Sequence, residues 1–90
     1  MKIKDGFMLR QIVDVWVVVP LGERVVDFNG MLKVSDSGAL LWKKLAGSGA
    51  TSRKDLLSEL MAAYEVDAET AGRDMDEFLE SLRQADLLVA

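Results

Sequence analysis

The side chains of this sequence that could carry chemistry are mostly carboxylates. The chain has 15 acidic residues but no histidine and no cysteine, so it lacks the commonest general base and the thiolate ligands of metal ions. The densest acidic group is Asp74, Asp76, Glu77 and Glu80. An acidic run on a helix is typical of a solvated face. We therefore predict no metal site and no cofactor.

Motifs that would indicate an enzyme are also missing from the sequence. It contains no phosphate-binding glycine loop, no dinucleotide fingerprint and no nucleophile elbow. The remaining acid–base candidates are carboxylates, lysines and one tyrosine. The sequence therefore favours a binding protein over an enzyme and offers no catalytic residues.

Charge is distributed unevenly along the chain. Residues 1–50 carry seven basic and five acidic side chains, whereas residues 51–90 carry four basic and ten acidic side chains. Binding to a nucleic-acid backbone needs clustered Lys or Arg. The acidic second half therefore argues against nucleic acid as a partner.

The length of 90 residues indicates one domain, covering residues 1–90. Half of the residues are hydrophobic, which is enough for a small packed core. The longest strongly apolar run, residues 15–21, is far too short to span a bilayer. The first six residues lack the apolar core of a signal peptide. We expect a cytoplasmic protein with no membrane partner.

Strand character begins with a predicted hairpin. Residues 7–12 and 15–19 are rich in β-branched and aromatic side chains, and Val13-Asp14 can form a tight turn that makes the two strands antiparallel. The second strand is apolar on both faces, which predicts a central position in the sheet.

A third strand is predicted at residues 31–34. A loop over residues 21–29 precedes it, and the Asn29-Gly30 pair is a turn signal because glycine accepts a positive φ. Alternation puts Leu32 and Val34 on one face and Met31 and Lys33 on the other. The loop is expected to be held down by Val25, Val26 and Phe28.

Three helices follow, each preceded by a capping residue. Ser35 caps a helix over residues 36–46, Thr51 or Ser52 caps one that runs to about residue 64, and Asp67 caps one that runs to about residue 85. The predicted inward stripes are Gly38, Leu41, Trp42 and Leu45, then Leu56, Leu57, Leu60, Met61 and Tyr64, then Ala71, Met75, Phe78, Leu79 and Leu82.

This order of elements predicts an α+β fold, with a three-stranded antiparallel sheet followed by a three-helix bundle. The arrangement is winged-helix-like, with the strands placed first. A short strand just before a helical bundle often lies at a sheet edge, where another chain can bind.

Six segments of the chain occur in a characteristic order and spacing: residues 6–10 (GFMLR), 17–20 (VVVP), 28–42 (FNGMLKVSDSGALLW), 60–64 (LMAAY), 66–67 (VD) and 74–82 (DMDEFLESL). Together they resemble the PqqD-like family over about residues 6–89. Two departures are Ser35-Asp36-Ser37, where the family has an Asn-Glu-Thr type cap, and Asp86, where it often has glycine. We expect the cap to survive, whereas Asp86 puts the glycine-type turn in doubt.

The resemblance implies a function in the modification of ribosomally made peptides. Members of this family bind the leader segment of a precursor peptide and present it to a separate modifying enzyme, often a radical SAM protein. The leader adds as a strand beside the third strand, against the third helix. The peptide-binding residues implied in this way are Met31, Leu32, Lys33, Val34, Asp74, Met75, Phe78 and Ser81.

Two other interpretations of the sequence stay open. A winged-helix nucleic-acid-binding protein would share the elements but in a permuted order. A self-associating structural domain, such as a homodimer, could pair through the same sheet edge. For Phe78 and Met75, a purely structural role in the core competes with peptide binding.

Overall fold

A computed structural model describes residues 1–22, 32–47 and 51–89, and its first large element is a three-stranded antiparallel sheet. The sheet consists of β2 (Phe7–Ile12), β3 (Val15–Pro20) and β4 (Leu32–Val34), in the order β2-β3-β4. The predicted hairpin and the central position of β3 are thus confirmed. Several predicted features lie outside the described residues: Met31, the Asn29-Gly30 turn, and the loop anchors Val25, Val26 and Phe28.

The pairing of β3 with β4 fixes which side chains face the helices. Trp16 lies opposite Val34, and Val18 lies opposite Leu32. Directly opposed residues point to the same face of a sheet, and Val18 is fully buried in the core. Leu32 and Val34 pack against that core as expected, whereas Lys33 is exposed.

Three helices follow the sheet in the described residues, and the predicted cap of each is confirmed. They are α1 (Asp36–Leu45), α2 (Arg53–Ala63) and α3 (Ala68–Gln84). The side chains of Ser35, Ser52 and Asp67 accept hydrogen bonds from the third residue of each helix, at 3.1, 3.2 and 2.7 Å. Each cap satisfies a backbone N–H that would otherwise lack a partner.

The core lies between the sheet and the helices. All predicted inward residues of α1 and α3 are buried, including Trp42 and Met75. In α2 only Leu56 and Leu60 are fully buried. The prediction was wrong for Met61 and Tyr64, which are exposed. Tyr64 lies beyond the end of α2 at Ala63, and Met61 lies in the last turn of the helix, where residues 61–63 are all exposed.

A second, two-stranded sheet was not predicted. It joins β1 (Lys2–Ile3) to β5 (Leu88–Val89) in antiparallel pairing. The first residue is held nearby, because the amino group of Met1 donates to the carbonyl oxygen of Thr51 at 3.0 Å. Two-residue strands are too short to show a period of two, so no sequence pattern indicates them.

The turn after α3 is a complete Schellman motif, although aspartate occupies the usual glycine position. Asp86 has a φ of 61°, the Leu87 N–H donates to the Leu82 carbonyl at 2.9 Å, and the Asp86 N–H donates to the Arg83 carbonyl at 3.0 Å. The chain therefore turns into β5 as it would with glycine. Within the described residues, no helix has the length and apolarity needed to cross a membrane.

The β2–β3 turn contains a strained valine whose replacement should stabilise the protein. Val13 has a φ of 60° and is 91% exposed. A β-branched side chain is poorly tolerated at positive φ, whereas asparagine is accepted there. We expect Val13→Asn to raise the free energy of unfolding in urea by about 1 kcal/mol. Asp14→Asn, next to it without a positive φ, should change it by less than about 0.5 kcal/mol. Equal effects would contradict the backbone explanation.

The backbone of Asp86 should matter more than its charge. Asp86 forms an ion pair with Lys4 at 2.7 Å, but its carboxylate is 86% exposed, and an ion pair with a well-solvated partner contributes little. We expect Asp86→Ala to lower the free energy of unfolding by about 1 kcal/mol, because alanine is strained at positive φ. Asp86→Asn removes the charge but still tolerates a positive φ, so its free energy of unfolding should be close to that of the wild type. A large loss with Asp86→Asn would show that the ion pair dominates.

Candidate functional site

An open groove of about 410 Å³ runs between β4 and α3. One wall is the end of β4 and the cap of α1, and the other wall is the middle of α3. We call it the strand–helix groove. It is lined by Lys33, Val34, Ser35, Ser37, Asp74, Glu77, Phe78 and Ser81.

β4 is the last strand in the order of the sheet, and its residues Lys33 and Val34 line the groove. Among residues 1–22, 32–47 and 51–89, β4 pairs with β3 on one side and with no strand on the other. A strand in this position presents backbone N–H and C=O groups that can pair with an added chain. The site therefore combines main-chain hydrogen-bonding groups with the side chains of the strand–helix groove.

The ring of Phe78 forms a nearly buried part of the groove and packs against the first turn of α1. A Cβ atom built on Gly38 would lie 3.0 Å from Cδ1 and 3.1 Å from Cε1 of Phe78. Both distances are tighter than nine in ten real Cβ contacts, so a methyl group here would push the ring away by a few tenths of an ångström. Glycine at position 38 is thus what allows α1 and α3 to approach here.

The polar side chains of the groove are arranged with opposite charges on its two walls. Lys33 is exposed on the strand wall, and Asp74 and Glu77 are exposed on the helix wall. Ser81 donates its hydroxyl hydrogen to the Phe78 carbonyl at 2.7 Å, which leaves its oxygen lone pairs for a ligand donor. The groove can therefore bind both charged and neutral polar groups.

The structure brings together five of the eight residues predicted for the site: Lys33, Val34, Asp74, Phe78 and Ser81. Leu32 packs against the core beside them, and Met31 lies outside the described residues. Met75 is fully buried in the core and does not line the groove. The sequence predicts Ser35 and Ser37 only as cap residues, whereas their position at the junction of strand and helix also puts them at the groove.

A second hollow of about 360 Å³ adjoins the strand–helix groove and shares three lining residues with it: Ser35, Ser37 and Asp74. It lies toward the start of α3, and we call it the tyrosine pocket. Its other lining residues are Asp36, Leu60, Tyr64, Val66 and Ala71.

Two other acidic side chains of α3, Asp76 and Glu80, form ion pairs away from this groove. Arg53 donates two hydrogen bonds to the Asp76 carboxylate, at 3.1 and 2.8 Å, and this lowers the pKa of Asp76. Arg83 pairs with Glu80 one turn along the helix. In the described part of the chain, no group of three or more metal-ligating side chains could hold an ion.

The fold and the groove define a small α+β domain in which a sheet edge lies beside a helix, and comparisons with known proteins agree. The family model for PqqD, described as Coenzyme PQQ synthesis protein D, matches residues 16–88. The chain belongs to the PqqD family.

A solved structure gives the same result at the level of the fold. The structure of TbiB1 in complex with the TbiA(beta) leader peptide superposes with a TM-score of 0.72 and 26% sequence identity, covering 98% of this chain and 94% of that chain. No curated protein sequence matches the chain significantly. The resemblance read from the sequence is thus confirmed, as is the predicted fold class.

Two helical glycines provide a test of the contact that shapes the groove. Gly38→Ala places a methyl group against the Phe78 ring and should lower the free energy of unfolding by about 1–3 kcal/mol. At Gly72 the nearest atom is the flexible end of Arg53, 3.8 Å away. Gly72→Ala should therefore raise the free energy of unfolding by about 0.5–1 kcal/mol, since alanine favours the helix. Similar effects in urea denaturation would disprove the close approach.

Proposed function

We propose that this protein binds the leader segment of a ribosomally made precursor peptide by strand addition to β4. The leader lies in the strand–helix groove, with its backbone paired to Leu32–Val34 and its side chains against Phe78, Ser81 and Asp74. The observation that supports this most is the juxtaposition of the β4 edge with the groove. Membership of the PqqD family and the likeness to a structure that contains a leader peptide support it as well.

Main-chain pairing is a suitable source of affinity for such a peptide. Each added hydrogen bond contributes about 0.5–1.5 kcal/mol net, and buried apolar area contributes about 25 cal/mol per Å². Ordering a disordered segment costs about 2–5 kcal/mol. A few pairs and a few buried side chains therefore suffice for a dissociation constant in the micromolar range, which corresponds to about −8 kcal/mol.

In this proposal the protein is a non-catalytic partner of a separate modifying enzyme, for which a radical SAM protein is our candidate. The groove would hold the leader while the rest of the precursor reaches the enzyme's active site. Both proteins would act in the cytoplasm, where the precursor is synthesised. A homodimer that paired two β4 edges would occupy the same site and compete with the leader.

The charge of the groove favours a peptide over nucleic acid. The wall formed by α3 carries Asp74 and Glu77, and Asp76 and Glu80 lie on the same helix. A phosphate backbone would be repelled by this surface. A peptide can instead place a basic side chain opposite the carboxylates.

Strand addition predicts an alternating response to backbone methylation of the peptide. The probe is a synthetic leader peptide of a candidate precursor, with single N-methyl groups placed along the paired segment. Because successive N–H groups of a strand point to opposite sides, methylation at every second residue should weaken binding about tenfold or more. Methylation at the intervening residues should cost much less. Calorimetry gives the dissociation constants.

A matched pair of variants locates the same event on the protein. Ser81→Arg fills the strand–helix groove and should weaken leader binding about tenfold or more. Gln84→Arg adds the same charge to α3, one turn away on the exposed surface outside the groove, and should leave binding unchanged. A leader that binds with no alternation on methylation, or that binds equally to both variants, contradicts strand addition in this groove.

A further inference from the structure

The tyrosine pocket has an apolar floor and an accessible rim. Leu60 and Ala71 are almost completely buried at its base, whereas Tyr64 and Val66 are 38% and 36% exposed. Asp36 and Asp74 lie at its polar side, and its described lining contains no basic side chain. A hollow of this kind admits an apolar side chain and repels an acidic one.

The exposed rim is built by the way α2 ends. The Tyr64 N–H still donates to the Leu60 carbonyl at 2.9 Å, but the backbone of Tyr64 is extended, with φ −128° and ψ 143°. The Val66 N–H then donates back to the Tyr64 carbonyl at 2.9 Å, which closes a three-residue γ-turn. This turn keeps Tyr64 and Val66 at the surface, at the rim of the pocket.

The pocket is continuous with the strand–helix groove. Ser35, Ser37 and Asp74 line both hollows, so these three residues form a common border. Ser35 also follows directly after Val34, the last residue of β4. A peptide paired along β4 therefore leaves the strand at this border, and its next residue or two, at about 3.3 Å each, reach the pocket.

We infer that the tyrosine pocket is a second subsite of the leader peptide, which takes one apolar side chain just beyond the segment paired with β4. This inference rests on the proposed function and adds to it a requirement on the leader sequence. Strand pairing reads mainly backbone and would accept many sequences, whereas the pocket selects a branched aliphatic or aromatic residue. Its two carboxylates disfavour an acidic residue at that position.

Single substitutions inside and outside the tyrosine pocket test the subsite. Val66→Asp puts a third carboxylate at the rim and should weaken binding of the synthetic leader about tenfold or more. Met61→Asp makes the same charge change at a residue that is 41% exposed, close in sequence and outside the pocket lining, and should change the dissociation constant less than twofold. Tyr64→Ser, a neutral change at the rim, should also weaken binding. All four proteins are compared by calorimetry.

An alanine scan of the leader, measured with the wild type and with Val66→Asp, forms a double-mutant cycle between peptide and protein. One apolar leader residue should lose about tenfold in affinity on substitution when tested with the wild type, and little when tested with Val66→Asp, because the two changes remove one contact. Wild-type affinity in both pocket variants would overturn the subsite and leave the pocket to another partner, such as the modifying enzyme. If the wild type binds no leader at all, the proposed function itself fails.

Discussion

The contact between Phe78 and the first turn of α1 is the constraint on which the groove depends. It brings α3 close to the end of β4, because Gly38 has no side chain to keep the ring away. Ser35 starts α1 at the point where β4 ends, so one capping residue fixes the strand, the helix and the border between the two hollows. Phe78 belongs to the same core cluster as the fully buried residues Val18, Leu41 and Met75, which pack together beneath this junction.

The same geometry explains why a chain without histidine or cysteine can still have a specific task. A sheet edge supplies backbone hydrogen-bonding groups without any special side chain. In the proposed function, the residues around the edge add selectivity. Here these are opposite charges on the two walls of the groove and an apolar pocket at its end. In that function, the sheet edge binds many extended peptides weakly, and the residues around it favour the correct leader.

Much of this arrangement could be predicted from the sequence, because several local rules agree with the fold. Serine or aspartate before each apolar-periodic segment marked the helix starts, and the doubly apolar β3 marked the centre of the sheet. Other features depend on tertiary contacts that no local pattern contains. The pairing of β1 with β5 joins residues at opposite ends of the chain. Met75 could be placed on the inner stripe of α3, but only the packing shows that Phe78, and not Met75, reaches the groove. The left-handed Asp86 shows that backbone geometry can be kept when glycine is absent.

Nuclear magnetic resonance of the complex can show whether a leader peptide becomes the next strand of the sheet. With isotope-labelled protein and unlabelled leader, we expect cross-strand nuclear Overhauser effects from the peptide Hα and amide protons to Leu32–Val34. We also expect contacts from leader side chains to Phe78. Peptide contacts confined to β2, to the Arg53–Asp76 surface or to the β1–β5 sheet would show that the leader does not add to β4.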